Sequence, residues 1–249
     1  RESSCILQGT RRGASTREAA AARRPSQGQV ISNLAITTTS GPCIVVRGVG
    51  DVWIDRVQAG PCGEQGIYVL GAARVRITNS VIHTEHGDVS GFGTGNGILI
   101  QNSSDVLVQG NQVSNSSGSI LAQASPRTKI IGNYSLNPLG PFPNASHFQL
   151  TTGSDHSEIS DNFGEQRPRF RGAPDDRQYV EDGINIYQTS DVLIARNYLR
   201  DGDSETGCGI IAGDNFDGLP GNNITVVDNV LIRTAHCGVG VVGGTGHVV

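Results

Sequence analysis

The sequence predicts an all-β chain wound as a right-handed parallel β-helix of about eight turns, a solenoid of short strands around one continuous core. Three observations predict it. A motif of apolar, often β-branched residues at alternate positions followed by Asn or Asp recurs along the chain. It ends at Asn33, Asp55, Asn79, Asn111, Asn133, Asn162, Asn197 and Asn229, at intervals of 22, 24, 32, 22, 29, 35 and 32 residues. A second column interleaves with the first, most often Gly followed by an alternating apolar run, at 43–46, 66–69, 97–100, 119–122, 147–150, 183–186, 209–212 and 238–241. The composition agrees with both. A hydrophobic fraction of 36%, an aromatic fraction of 5% and 34 glycines suit a thin core of Val and Ile in a chain that turns every few residues.

Alternation over four to six residues puts one face of a strand inward. Strands that recur at the same place in successive turns pair in parallel about 4.8 Å apart, so eight turns span roughly 38 Å. Each turn holds at least two strands, and a third too brief to read. The Asn column fits a bend, where a side-chain amide satisfies backbone groups and bonds to the amides above and below. A β-sandwich or a propeller is the competing fold, but propeller blades run roughly 40–50 residues, longer than these intervals.

In chain order, residues 1–29 are irregular. Ser15-Thr16-Arg17-Glu18 ahead of the alanines at 19–22 reads as a short helix with a capping box. The segment is expected to be a cap or linker, since the end of a β-helix exposes unpaired strand edges. The β-helix proper is read as 30–249. Connections from the Gly column to the next Asn-column strand are mostly short, whereas those from the Asn column to the Gly column vary. The long ones are 81–96, 134–146, 163–182 and 198–208. Insertions collected on one side of a solenoid usually build its binding face, so function is sought there. Gly246-His247-Val248-Val249 reads as the opening of a ninth turn, with the expectation that a C-terminal part of the coil lies beyond it.

The formal charge is −4 with both signs interspersed, which offers no basic face for nucleic acid. No apolar run approaches the roughly 18 residues of a membrane span. The polar start, Arg1-Glu2-Ser3-Ser4, reads either as the product of leader removal or as an excised piece. Of five cysteines, Cys208 and Cys237 stand one turn apart in the same column, within disulfide reach if the turns stack. Cys43 and Cys62 lie on adjacent turns in different columns. Small buried thiols are the alternative for both pairs. Disulfides would suit an exported protein, whether secreted, periplasmic or at the cell surface.

The stretch 181–213 gathers the candidate chemistry. Asp182 precedes one Gly-column strand and Asp203 lies in the connection one turn later, with His236 beyond them. Two carboxylates on one side of a coil can divide acid and base roles, each shifting the other's pKa; the competing reading is that Asp and Gly simply make turns. Asp201, Asp203 and Glu205 alternate along the chain, an oxygen cluster of the kind that suits calcium. The longest connection carries Arg167, Arg169, Arg171, Arg177 and Tyr179, a source of a base and of cations for a carboxylated sugar, or else a solvated charged loop. Arg169 and Tyr179 are the catalytic candidates there. Arg167, Arg171 and Arg177, with Glu181 and Tyr187 beyond the loop, are the substrate-binding ones.

These residues resemble the pectin-lyase-like superfamily. Val180-Glu181-Asp182-Gly183, Gly202-Asp203-Ser204 and the segment around His236 are similar to the NTDG, GDD and GHG motifs of polygalacturonases, with Asp182, Asp203 and His236 on their Asp, Asp and His. Ser204 stands where that family has its second Asp of GDD, and no RIK motif follows. Val52-Trp53-Ile54-Asp55-Arg56 resembles the VWIDH motif of pectate lyases with Arg56 in place of His, and 167–171 resembles their Arg- and Pro-containing base motif. The resemblance implies a carbohydrate-active enzyme that cleaves an acidic, uronate-containing polysaccharide. It tilts the expectation slightly toward elimination by an Arg base with calcium, with hydrolysis by Asp182 and Asp203 as the alternative. A non-catalytic adhesin, tail fibre or structural surface protein is the reading from a different class.

Overall fold

In the computed structural model the chain is a parallel β-helix of eight turns with three strands to a turn. The structure describes residues 23–84, 95–140, 145–166, 180–202, 204–214, 218–219, 221–234 and 236–249. The expected helix at 15–22 lies outside them, as do Cys5, Asp203 and the whole arginine loop 167–179. The strands form three eight-stranded parallel sheets. The first sheet runs from Val30–Ser32 to Ile224–Val227, the second from Ala35–Ile36 to Val230–Thr234, and the third from Ile44–Arg47 to Cys237–Val241. The second sheet is the one the sequence leaves unread. Its strands are two to five residues long, most too short for alternation to show.

The corner between the first and second sheets is always two residues long, and both residues have fixed jobs. The first takes the left-handed conformation in every turn: Asn33, Arg56, Asn79, Gly110, Gly132, Asp161, Arg196 and Asp228 have φ between +49° and +66°. The second carries an asparagine ladder through Asn111, Asn133, Asn162, Asn197 and Asn229. Asn162 Oδ1 accepts the backbone N–H of Asn133 at 2.8 Å and its side-chain amide at 3.0 Å, while Asn133 Nδ2 also donates to the Val108 carbonyl at 2.9 Å. The ladder ends where Asn111 Oδ1 accepts the Ser80 N–H at 3.0 Å. The three earlier members of the sequence column are therefore out of register. Asn33 and Asn79 occupy the left-handed position, and Asp55 lies one residue earlier still, on a strand, accepting bonds from Thr78 and Asn79. Asn suits a left-handed bend as well as a stacked amide, so the motif alone does not separate the two roles.

The corner between the third and first sheets is held by a serine ladder. Ser125 Oγ accepts the Ser103 N–H at 3.2 Å, and Ser154 Oγ accepts that of Ser125 at 3.1 Å. Beside it a second left-handed column runs through Asp51, Arg74, Asp105, Arg127, His156, Asp191 and Asn223. Arg74 meets Asp51 and Arg127 meets Asp105, each at 2.6 Å.

Inside, Ile44, Ile67, Ile98, Ile120, Phe148, Ile184 and Ile210 stack in one column of the third sheet, all buried. The preceding residue in each turn faces the second sheet at close quarters, which explains the Gly column. A Cβ on Gly66 or Gly97 would strike the side chain of Ile82 or Val113. Where the second sheet offers Ser135 and Gly164, the third sheet carries Ser119 and His147. The Ser135 hydroxyl lies 2.6 Å from both the Ser119 hydroxyl and His147 Nδ1.

The connections from second to third sheet carry the variable length, as expected: 60–66, 84–97, 115–119, 137–145, 166–181 and 203–207. A further long connection, 215–223, lies at the serine corner after the seventh turn. Cys43–Cys62 and Cys208–Cys237 are both disulfides, with Cα separations of 5.5 and 4.5 Å. Arg23, inside the segment expected to be a cap or linker, already pairs in parallel with Ile44. At the other end Val248 pairs with Thr225 on the first sheet, where the sequence places the opening of a ninth turn. No helix among the described residues is long and apolar enough to cross a membrane.

Candidate active site

The acids lie along the third sheet in turns six and seven, Glu181 and Asp182 beside the variable corner and Asp214 at the other end of its strand. Asp182 opens the strand Asp182–Tyr187 and Asp214 closes the strand Cys208–Asp214. A bulge after Asn185 shifts the register so that Tyr187 faces Asp214. Asn185 bridges the two acids, its Nδ2 donating to Asp182 Oδ2 at 2.9 Å and to Asp214 Oδ2 at 3.3 Å. The Asn185 amide is buried, and its Oδ1 has no hydrogen-bond partner among the described residues. Asp182 Oδ1 also accepts the Cys208 N–H at 2.8 Å, which ties it to the next turn at the residue locked by the disulfide.

Burial pushes the Asp182 carboxyl above its ordinary range, and the nearby Asp214 adds to this against the bonds from Asn185 and Cys208. Glu181, half-buried, is also raised, chiefly by burial and then by Asp182 and Asp214, although the Thr206 hydroxyl donates to it at 3.1 Å. Beneath Asp182, between His147, Leu199 and Cys208, lies a cavity of about 20 Å³, room for one water.

Of the sequence candidates, the structure brings Glu181, Asp182 and Tyr187 to one strand and its approach. In register, the residue one turn after Asp182 is Cys208 rather than Asp203, which belongs to the connection before it and lies outside the described residues. Arg167, Arg169, Arg171, Arg177 and Tyr179 lie outside them as well. His236 is exposed, and its N–H donates to the Gly207 carbonyl at 3.2 Å; this places it two rungs from Glu181, about 10 Å along the coil. Ser204, at the departure from the GDD motif, is buried and accepts the N–H of Gly207 at 2.8 Å, closing a turn.

Asp201 turns away from the candidate calcium role. Its carboxylate binds the Arg233 guanidinium at 2.6 Å, with Arg200 3.7 Å away. Glu205 is exposed, and no group of three metal-binding acids, histidines or cysteines occurs among the described residues. Asp203, the middle residue of that candidate set, lies outside the described residues. Sequence reasoning missed Asp214 and Asn185. The signal for Asn185 was its alternation with Ile184 and Ile186, which places it on the outer face.

Fold and site together define a right-handed parallel β-helix with an acidic cluster along its third sheet. The chain belongs to the right-handed β-helix region family, which matches residues 23–164. No curated protein matches it. Among solved structures it is similar to the enzymatically active domain of tailspike protein 2 of bacteriophage CBA120, at 15% identity and a TM-score of 0.52 over 70% of this chain and 25% of that one. It is similar to DFA-IIIase of Arthrobacter chlorophenolicus A6, at 11% and 0.51 over 78% and 53%. It also resembles the surface protein and adhesin PfbA of Streptococcus pneumoniae, at 13% and 0.50 over 86% and 68%. The chain thus spans a quarter to about half the length of the first two. At these identities the likeness is one of fold, shared by enzymes and an adhesin.

Proposed function

We propose that the protein cleaves glycosidic bonds in a polysaccharide, with Asp182 and Asp214 as the working carboxyl pair. The observation that carries this reading is the shared Asn185 amide. Both acids bond to one nitrogen, so their nearest oxygens lie within about 6 Å of each other, the scale on which paired carboxylates straddle a glycosidic bond. Asp182, buried and raised, is the proton donor to the leaving oxygen as the C1–O bond breaks. Asp214, more open, is the carboxylate that takes a proton from water as its oxygen bonds to C1, or that bonds to C1 itself. The long outer surface of stacked strands suits a polymer. Two disulfides suit an oxidising compartment, so the protein works outside the cytoplasm or in the periplasm.

The test is a panel of pectate, alginate, hyaluronate and glucuronan, followed by reducing ends and by ultraviolet absorbance, with and without EDTA. Reducing ends without absorbance are expected, lost at least about 100-fold in Asp182→Asn and Asp214→Asn. Absorbance from an unsaturated uronate, with loss in EDTA, would replace this reading with elimination. Full activity in both variants would remove these two acids from it.

A further inference from the structure

A second feature lies on a different face. On the outside of the first sheet, Trp53, Arg76, Leu107 and Lys129 occupy one register column on four successive rungs. Together with Arg74 and Arg127 from the adjoining left-handed corner they line a groove of about 880 Å³. Four cations thus meet two carboxylates there, Asp51 and Asp105, in a chain whose net charge is −4. Both carboxylates are already taken, each bonded twice by one guanidinium, Arg74 or Arg127. Arg76 has no acidic partner among the described residues, and Lys129 stands 3.5 Å from Glu158. With Arg74, Arg127 and Lys129 each paired to a carboxylate, the Arg76 guanidinium is left as an uncompensated positive charge beside Trp53, on a protein that is negative overall.

Its aromatic floor is fixed. Trp53 is 41% exposed, and its indole N–H donates to the Thr78 hydroxyl at 2.8 Å. Thr78 in turn donates to Asp55 at 2.7 Å. The polar end of the ring is thus satisfied within the sheet, and its apolar body is left partly open. A held aromatic surface with a cation on the next rung matches a uronate pyranose whose C–H face lies on the indole and whose one carboxylate reaches Arg76, while Lys129, two rungs further on, meets the carboxylate of a later sugar of the same strand.

We infer that this groove is an accessory binding site for an acidic polysaccharide strand, separate from the cleavage site on the third sheet. The choice of polymer rests on the proposed function, but the site does not need the chain to be an enzyme. A lone aromatic with cations one and three rungs beyond it fits a strand of charged sugars better than single-stranded nucleic acid, which is held by successive stacked bases.

Trp53 is the chain's one tryptophan, so its fluorescence reports this site alone. The protein is titrated with oligogalacturonate, with a neutral glucan oligomer of equal length and with a single-stranded oligonucleotide. A saturable change with oligogalacturonate is expected, weakened by added salt, absent with the glucan and smaller with the oligonucleotide. In the double variant Arg76→Glu/Lys129→Glu the affinity falls at least about tenfold, while far-ultraviolet circular dichroism and any cleavage of short oligomers stay unchanged. An unaltered signal with oligogalacturonate, unaltered affinity in the double variant, or an oligonucleotide bound as tightly would overturn the site. Binding that survives in Asp182→Asn/Asp214→Asn shows the two sites to be separate, so failure of the catalytic proposal leaves this one standing.

Discussion

Asn133 and Asn162 are bonded twice across one turn, since Asn162 Oδ1 accepts both the main-chain and the side-chain N–H of Asn133. Asn162 Nδ2 also donates to the Ile130 carbonyl at 2.9 Å. Asn162→Ala strips the buried Asn133 N–H of its acceptor and removes one bond each from Asn133 Nδ2 and the Ile130 carbonyl, and the expected loss is about 2 kcal/mol. Asn229, half-buried in the last rung of the ladder, should cost about 1 kcal/mol when changed to Ala. Urea unfolding of the two variants checks the ordering. Equal losses would mean that the ladder does not work through burial.

His147 is a histidine kept neutral by the core. Burial drives its pKa from 6.5 down to about 3, against a small opposing pull from Glu165. Below pH 6.5 the unfolded chain takes up a proton that the folded chain refuses until about pH 3, so stability falls as pH falls through that window. The full drop is on the order of 5 kcal/mol. Replacing His147 with Gln should flatten the slope of unfolding free energy between those limits, and a slope left intact would point to another group.

Gly97 and Val113 form a size pair. Gly97→Ala drives a methyl into the Val113 side chain and the expected cost is about 2 kcal/mol. The double change Gly97→Ala/Val113→Ala should be more stable than the sum of its single changes predicts, because the shortened valine removes one of the two clashes; the other, with the Ser119 carbonyl at 2.8 Å, keeps the recovery partial. Strictly additive values in a double-mutant cycle would show that the crowding is relieved elsewhere.

Asp182 works against the fold that holds it. Its raised pKa means that the folded chain keeps the proton longer than the unfolded one, so this group lowers stability as pH rises above its ordinary value of 3.8. Asp182→Asn should therefore melt higher than the parent at pH 7, with the difference closing below pH 4, while losing activity. Asp105 has the opposite sign. Arg127 holds it down at about 2, so its contribution is present at neutral pH and fades as acid approaches that value. Exposure keeps that contribution small. Thermal melts from pH 3 to 8 on Asp182→Asn and Asp105→Asn separate the two trends.

The coil itself was legible because inward residues repeat: Ile67, Ile98 and Ile120 announce a strand whatever surrounds them. The Cys208–Cys237 pair was legible for the same reason, since both cysteines precede the same column. The second sheet was not, because a strand such as Gln58–Ala59 carries no period. The site was half legible. Asp182 stands next to a recognisable glycine, but its partner Asp214 comes into register through a bulge, and a bulge leaves no mark on spacing. Asp201 has a partner that local spacing does not reveal. Its alternation with Asp203 and Glu205 suggests a shared ligand, yet the guanidinium that claims it, Arg233, is 32 residues away in sequence.

Two of the three corners are fixed in conformation by left-handed residues, and the first of them never changes length. Such a frame has few degrees of freedom left for experiment, and nearly all of them lie on one edge. Insertions and deletions there alter what surrounds Glu181 and Asp182 without moving a single rung. Descent can therefore revise the specificity of this protein by editing loops, much as a lock is rekeyed without replacing the door.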